Sequence, residues 1–289
     1  MNPDLGEQFE QLRPRLVALA YRILGTTTDA EDAVQDAYLR YHRHAEAIQS
    51  PESWLVRVVT RLCIDRKRAC QREAYIGNWL PEPVPDEGYW MEDPAELSES
   101  LSMAFMVMLE TLSPVERAAY LLRDIFSYDF DEVADLIEKS PDNARQIVVR
   151  ARRRLGLHQQ RFESQPQQAD QLAHLFFQAC RKGDLEPIKT LLAEDATLIS
   201  DGGGNALASP RPIRGQHRIA NLLAVNFRKD GQAGYVHFSQ VGKRPTVAIY
   251  VDNRPISVIS LAIDEGVISK IYVMRNPEKL RLWNHSPKD

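Results

Sequence analysis

Residues Asp131–Leu155 read DEVADLIEKSPDNARQIVVRARRRL, two short helical patterns separated by Ser140-Pro141. A serine before a proline predicts a helix start. The hydroxyl accepts from the free amides of the first turn, and proline at the first helical position loses no hydrogen bond. At about 100° per residue, Ala144, Ile147, Val148, Ala151 and Leu155 gather on one side. Asp142, Arg145, Gln146, Val149, Arg150, Arg152, Arg153 and Arg154 fill the rest. One apolar side for a core and one arginine-rich side outward is how a helix-turn-helix unit meets a DNA groove. A surface helix with a solvated charged face is the plainer alternative.

Working outward, the 289 residues suit about two or three domains, and 44% hydrophobic content can supply their cores. No apolar run approaches the ~18–20 residues of a membrane span. The start MNPDLGEQFEQL has neither the basic nor the apolar segment of a signal peptide, which predicts a cytoplasmic protein with no membrane contact. Cys63, Cys70 and Cys180 lack metal-ligand spacing and are expected as small core residues, so no metal and no cofactor are called for.

The net charge of −4 argues against nucleic acid only on average. Residues 57–72 carry Arg57, Arg61, Arg66, Lys67, Arg68 and Arg72 against Asp65, and residues 141–161 carry six arginines against Asp142. Between Arg72 and Arg117 there is no Lys or Arg, while ten Asp or Glu accumulate. Two basic surfaces joined by an acidic strap is the electrostatic layout.

Residues 1–75 are expected as a helical domain. One apolar stripe ends at Gly25, Thr28 with Glu31 forms a capping box, and Ser50-Pro51 opens a further helix. Residues 76–93, IGNWLPEPVPDEGYWMED, hold prolines and glycines without helical period and are expected as an extended linker. Asp93-Pro94 with Glu96, and Ser113-Pro114 with Glu116, open the helices of a second domain, 94–160. Residues 161–170 lie in a polar, glutamine-rich linker. From 171 to 289, short helices and then ATLIS, YVHFSQV, TVAIYV, ISVISLAI and VISKIYVM predict an α+β domain with a mostly antiparallel sheet.

In the first basic helix, Arg57, Arg61, Arg68 and Arg72 share one stripe with Trp54 at its end, which suits phosphate contacts and stacking against an unpaired base. Trp54 packed as core is the equal alternative. The helix DAEDAVQDAYLRYHRH presents acids and Gln35 outward, where a solvated face or protein docking would serve.

These segments, WLVRVVTRLCIDRKR among them, resemble in order and spacing regions 2 and 4 of extracytoplasmic-function (ECF) sigma factors of bacterial RNA polymerase. The resemblance covers about residues 5–160. It implies that core RNA polymerase and promoter DNA are the partners. Asp32, Gln35, Asp36 and Tyr38 would lie on the helix gripping the polymerase clamp. Trp54, Arg57, Arg61, Asp65 and Arg68 would read a melted −10 element, although many family members carry Asn where Arg61 stands. Asn143, Arg145, Gln146, Val149, Arg150 and Arg153 would meet a duplex −35 element. Groove-edge Arg and Gln would read bases while the other arginines set position on phosphates.

The last third resembles the SnoaL-like branch of the NTF2-like fold, a cone-shaped α+β domain. Trp79-Leu80-Pro81-Glu82-Pro83, Asp201-Gly202-Gly203-Gly204 and Asn276-Pro277-Glu278-Lys279-Leu280 resemble motifs of the SigJ-like ECF subgroup, with Asn205 and Glu278 as departures. Gly202–Gly204 lacks the Lys-Ser/Thr of a phosphate loop and is expected to let backbone approach another surface. Asn276-Pro277 reads as the cap of a last helix. Trp79, Leu80, Pro81, Asp201, Gly202, Gly203, Gly204, Asn276, Pro277, Lys279 and Leu280 are therefore expected as an interdomain regulatory set. His217, His237, Tyr250, Tyr272 and Asp201 could serve an acid–base pocket, but no spacing joins them. The expectation is a promoter-specificity subunit, monomeric when free and without catalytic residues. Its third domain would regulate in cis and could admit a small ligand.

Overall fold

The computed structural model describes residues 3–44, 48–70, 75–86, 99–159, 166–230 and 234–284. Arg72, the helix start at Asp93-Pro94, and parts 87–93 and 161–165 of the two expected linkers lie outside them. The chain divides into two compact units. The first is Met1–Ala74 with Trp90–Ser100 and Met106–His158; the second is Tyr75–Tyr89 with Leu101–Phe105 and Gln159–Asp289.

Up to Gln159 the described elements are helical: α1 (Pro3–Leu24), α2 (Thr27–His44), α3 (Pro51–Cys70), α4 (Met103–Leu109), α5 (Pro114–Tyr120), α6 (Phe130–Leu136) and α7 (Pro141–Gln159). Local chemistry sets most starts. Ser113 with Glu116, and Asp129 with Glu132, close full capping boxes, each side chain bonding the other's backbone amide. Before α7 the Asn143 amide donates to the Ser140 hydroxyl at 3.4 Å. The cap expected at Thr28 is displaced: α2 begins at Thr27, and Thr26 bonds Asp29 through its hydroxyl. Thr26-x-x-Asp29 offers similar spacing directly after Gly25, whose φ of 90° ends α1. Along α3, Leu55, Val59 and Cys63 are buried as the period demands. In its last turn Ala69 is exposed, and Lys67 points inward instead.

The second unit contains α8 (Pro166–Lys182), α9 (Leu185–Leu191), β1 (Leu192–Asp201), β2 (Ile213–Arg214), α10 (Gln216–Asp230), β3 (Gly234–Val241), β4 (Arg244–Val251), β5 (Arg254–Asp264) and β6 (Val267–Met274). Residues 166–170, expected as linker, are the first turns of α8. Proline at the helix start and the Gln and Ala that follow are compatible with helix. The sheet runs β2-β1-β6-β5-β4-β3, with β1 and β6 parallel and every other pairing antiparallel. Gly242-Lys243, Asp252-Asn253 and Glu265-Gly266 turn the three hairpins with positive φ at both residues, the geometry that matches strand twist.

Phe176, Phe177, Ile188, Ile219 and Phe227 from the helices share one core with Val247, Ile249, Ile259 and Ile271 from the sheet. On β4 every residue from 245 to 250 is buried, so both faces of this strand are covered. Residues 76–86 of the expected extended linker belong to this unit, as does Tyr75, which was expected in the first domain; Leu80, Glu82 and Val84 are buried. The last α-helix expected after Asn276-Pro277 is replaced by two 3-10 turns, Pro277–Lys279 and Arg281–Trp283. Three residues per turn brings Leu280 and Trp283 to one side, and both are buried.

Candidate nucleic-acid interface and strap cluster

On α7 the apolar side is buried as its period dictates, and Asn143, Arg145, Gln146, Val149, Arg150 and Arg153 are all exposed. Val149 leaves 59% of its surface in solvent, an apolar contact of the kind that meets a thymine methyl. Two arginines beside them hold the fold together. Arg152 donates to Asp124 at 2.9 Å and Arg154 to Glu116 at 2.7 Å. Burial pushes the Glu116 carboxyl up, but hydrogen bonds from Ser113 and the charges of Arg154 and Arg150 outweigh it and hold the group below the usual carboxylate range.

On α3, Trp54 is half-buried, its ring centroid 6.0 Å from that of Tyr41. Arg57, Arg61, Asp65 and Arg68 are exposed. Arg57 lies 3.5 Å from Asp135 and Arg61 2.7 Å from Glu138, acids on and just after α6. Arg68 pairs with Asp65 at 3.4 Å. Each such exposed pair contributes about 0–1 kcal/mol and is screened by salt. The helix expected to grip polymerase is divided in character. Asp32 and Gln35 are exposed, Asp36 accepts from Arg66 at 2.6 Å, and the Tyr38 ring lies 4.5 Å from Phe9.

Beneath these faces lies a charged network that sequence reading missed. Arg117 is 0% exposed, donates to the Arg22 carbonyl at 2.7 Å and pairs with Glu110. Lys67, buried although counted among the charges of the first basic surface, meets Glu110 at 2.9 Å and the Leu24 carbonyl at 3.3 Å. Burial pushes the Glu110 carboxyl up, yet Arg117 and Lys67 hold it below its ordinary value. The available signal was Arg117 beside Ala118 and Ala119, and Glu110 after MAFMVML: charges where an apolar period runs on.

In the second unit the three expected motifs converge. Asp201, 0% exposed at the end of β1, accepts from the Tyr75 hydroxyl at 2.6 Å, the Leu80 amide at 2.9 Å, the Gly203 amide at 3.0 Å and the Lys279 ammonium at 2.8 Å. Lys279 also donates to the Leu80 carbonyl at 2.6 Å and stands 4.4 Å from the Trp79 ring and 4.9 Å from the Tyr75 ring. A buried ammonium with a carboxylate, a carbonyl and two aromatic faces is satisfied on every side. Burial first, and then Asp201, push the Tyr75 hydroxyl above the usual tyrosine range, so it stays protonated as a donor.

Asn276 donates to the Tyr75 hydroxyl at 3.1 Å and accepts from the Glu278 amide. Pro81 is buried, Pro277 is exposed and Leu280 is buried. Four polar partners were not anticipated: Tyr75, Asn78, Asp86 and Trp283. Trp283 donates from its indole to the Pro83 carbonyl at 2.8 Å, while Asp86 accepts from the Gly242 and Lys243 amides at 2.6 and 2.7 Å. Tyr250, considered for acid–base work, donates to the Trp283 carbonyl at 2.9 Å.

The glycines are explained by close approach. A Cβ on Gly203, at φ 59°, would stand 2.3 Å from the Asn276 amide nitrogen, and one on Gly202 would stand 2.2 Å from the Ala206 carbonyl. Gly203→Ala is expected to destabilise the second unit by about 1–3 kcal/mol. A thermal midpoint unchanged from the parent would show that Asn276 yields freely.

No described helix is long and apolar enough to cross a membrane, and no group among the described residues could hold a metal ion. Residues 8–73 match the family Sigma-70 region 2, and residues 102–155 match Sigma-70, region 4. The chain is 37% identical over 222 residues to the ECF RNA polymerase sigma factor SigJ of Mycobacterium tuberculosis, covering 75% of this chain and 71% of the relative. It is 27% identical over 273 residues to the probable ECF RNA polymerase sigma factor SigI of the same species, covering 93% and 92%. The crystal structure of Mycobacterium tuberculosis SigJ superposes with a TM-score of 0.77 at 30% identity over 98% of this chain and 99% of that one.

Proposed function

Because this chain belongs to the extracytoplasmic-function sigma factors of RNA polymerase, we propose that its C-terminal α+β domain regulates promoter recognition by gripping the strap between the two DNA-reading regions. Binding of core RNA polymerase and recognition of promoter DNA follow from the family. The cis control is our reading, and the observation that carries it is the Asp201–Lys279 pair closed around Leu80. Residues 75–86 lie on the only covalent path from region 2 to region 4. A domain that holds them therefore sets the freedom of that path.

Asn143, Arg145, Gln146, Val149, Arg150 and Arg153 form the face that meets the −35 element. Trp54, Arg57, Arg61, Asp65 and Arg68 form the −10 reader, and Asp32, Gln35, Asp36 and Tyr38 face polymerase. Arg57 and Arg61 must leave Asp135 and Glu138 before they touch DNA. Because those pairs are weak and exposed, the phosphate field of DNA can displace them. The protein acts in the cytoplasm, as its work on polymerase requires, and the α+β domain is a regulator with no reaction of its own.

The test is transcription in vitro with core polymerase, a pool of genomic promoter fragments and the full-length chain, beside Lys279→Met. A changed transcript yield is expected from the variant. Equal yield and equal promoter choice would remove the cis control while leaving the sigma function intact. Arginine–phosphate contacts make a second expectation: Arg153→Gln lowers the slope of log affinity against log salt by about one unit. A slope identical to the parent's would take Arg153 off the phosphate backbone.

A further inference from the structure

The second unit contains a cavity of about 290 Å³, walled by strands of the sheet, by α10 and by the 207–213 segment. A cavity of roughly 150 Å³ holds benzene, so this one suits a body of about two fused rings. Leu198, Leu223, Phe227, Ile249 and Ile259 make most of its wall apolar. Ser257 departs from that pattern. It shares one face of β5 with Ile259 and Leu261, which belong to the core, and it pairs across the sheet with Ile249. Strand alternation therefore calls for an apolar side chain at this position. Ser257 instead places a hydroxyl there, 3% exposed and without a hydrogen bond to the protein. Leaving such a group unbonded is a standing cost to the fold, and a polar ligand atom beside it would remove that cost.

Charge narrows the choice of ligand. Arg275 also lines the cavity but is already engaged within the protein, and the other described lining residues are uncharged. An ion entering would give up its hydration with no countercharge waiting for it, which is strongly unfavourable. We propose that this cavity binds a small neutral molecule, an apolar body of about two rings carrying one hydroxyl or carbonyl oxygen that hydrogen-bonds to Ser257. A serine hydroxyl both donates and accepts, so it serves either oxygen. Leu207 leaves 85% of its surface in solvent while also lining the cavity. It stands at the mouth, where an apolar guest covers it. An apolar chamber with few polar groups is the ordinary form of a small-molecule site.

The same walls reach the strap. Ser200 and Ser209 line the cavity, and Asn78 donates from its side-chain amide to both of their carbonyls, at 3.3 and 2.9 Å. The next residue after Ser200 is Asp201, whose carboxylate accepts from the Leu80 amide at 2.9 Å. A ligand packed against Ser200 and Ser209 restrains the residues that hold the strap, so occupancy tightens that grip. This coupling rests on the regulatory reading above, whereas the binding itself does not.

The experiment is calorimetric titration of the full-length protein at neutral pH with 2-naphthol and with the anion 2-naphthoate, followed by hydrogen exchange at naphthol saturation. Naphthol is expected to bind about tenfold or more tightly than naphthoate, whose carboxylate would be buried without a partner. Ser257→Ala removes an unbonded hydroxyl and should fold at least as well as the parent. It should weaken naphthol by about two- to tenfold, the effect of one neutral hydrogen bond. No binding of naphthol at about 1 mM, binding of naphthoate as tight as that of naphthol, or unaltered naphthol affinity in Ser257→Ala would each overturn the site. Exchange at the Leu80 amide should slow more than exchange at the amides of β4, which report stabilisation of the whole unit. Intact binding with equal slowing at both would overturn the coupling alone.

Discussion

Asp201→Ala is expected to destabilise the second unit by about 3–5 kcal/mol, the cost of leaving a buried charge without its partner. Lys279 is 6% exposed and would lose the Asp201 carboxylate, while the Leu80 carbonyl and two ring faces stay beside it. The Tyr75 hydroxyl and the Leu80 and Gly203 amides would lose their acceptor in the same step. Asp201→Asn combined with Lys279→Met removes both charges and should cost much less than the single Asp201→Ala, because no uncompensated ion remains. Chemical denaturation of the two variants measures the contrast. Hydrogen exchange at Leu80 reports whether the strap is released before the domain unfolds. A double variant as unstable as Asp201→Ala would assign the loss to the hydrogen bonds and not to the stranded ammonium.

The second large effect lies in the first unit. Glu110→Ala leaves Arg117, 0% exposed, and Lys67, 8% exposed, without their shared carboxylate. A loss of about 3–5 kcal/mol is again expected. The network joins α3 to α4 and α5, and α3 also carries the arginines paired with Asp135 and Glu138. Weakening it frees Arg57 and Arg61, so promoter affinity should rise while thermal stability falls. A fall in both would mean that the network positions the reading helix and does not restrain it.

The same carboxylate dictates a pH response. The folded pKa of Glu110 lies below its ordinary value of 4.5. Its contribution is therefore fully present above that ordinary value and is lost as pH falls through the depressed folded value. Acid unfolding of the parent should be steeper in this window than that of Glu110→Gln, as followed by circular dichroism. Superimposable acid profiles would show that other groups govern the transition.

Much of the fold was legible because its signals are local. Ser113-Pro114, the β-branched and aromatic run TVAIYV and the one-sided apolar face of α7 each act within a few residues, over the spacing at which backbone geometry repeats. The exposed set Asn143, Arg145, Gln146, Val149, Arg150 and Arg153 was legible for the same reason, since the buried face of a helix defines its other face. The cap at Thr28 was misplaced because Thr26 and Asp29 offer similar spacing just before it, and the start of α8 because its first turns are polar and glutamine-rich. Local spacing carried no sign that Lys67 would be buried, because a lysine beside arginines reads as surface and its partner Glu110 lies 43 residues away. The chain by itself determined the helices, the hairpins and the outward arginine-rich face of α7. Only the tertiary structure decided that residues 75–86 lie under Lys279, that Glu110 joins α3 to α5, and that Ser257 faces a cavity. The first two depend on bonds such as Lys67–Glu110 and Lys279–Leu80, 43 and 199 residues apart, whose pairing is set by burial and charge compensation and leaves no trace in local periodicity.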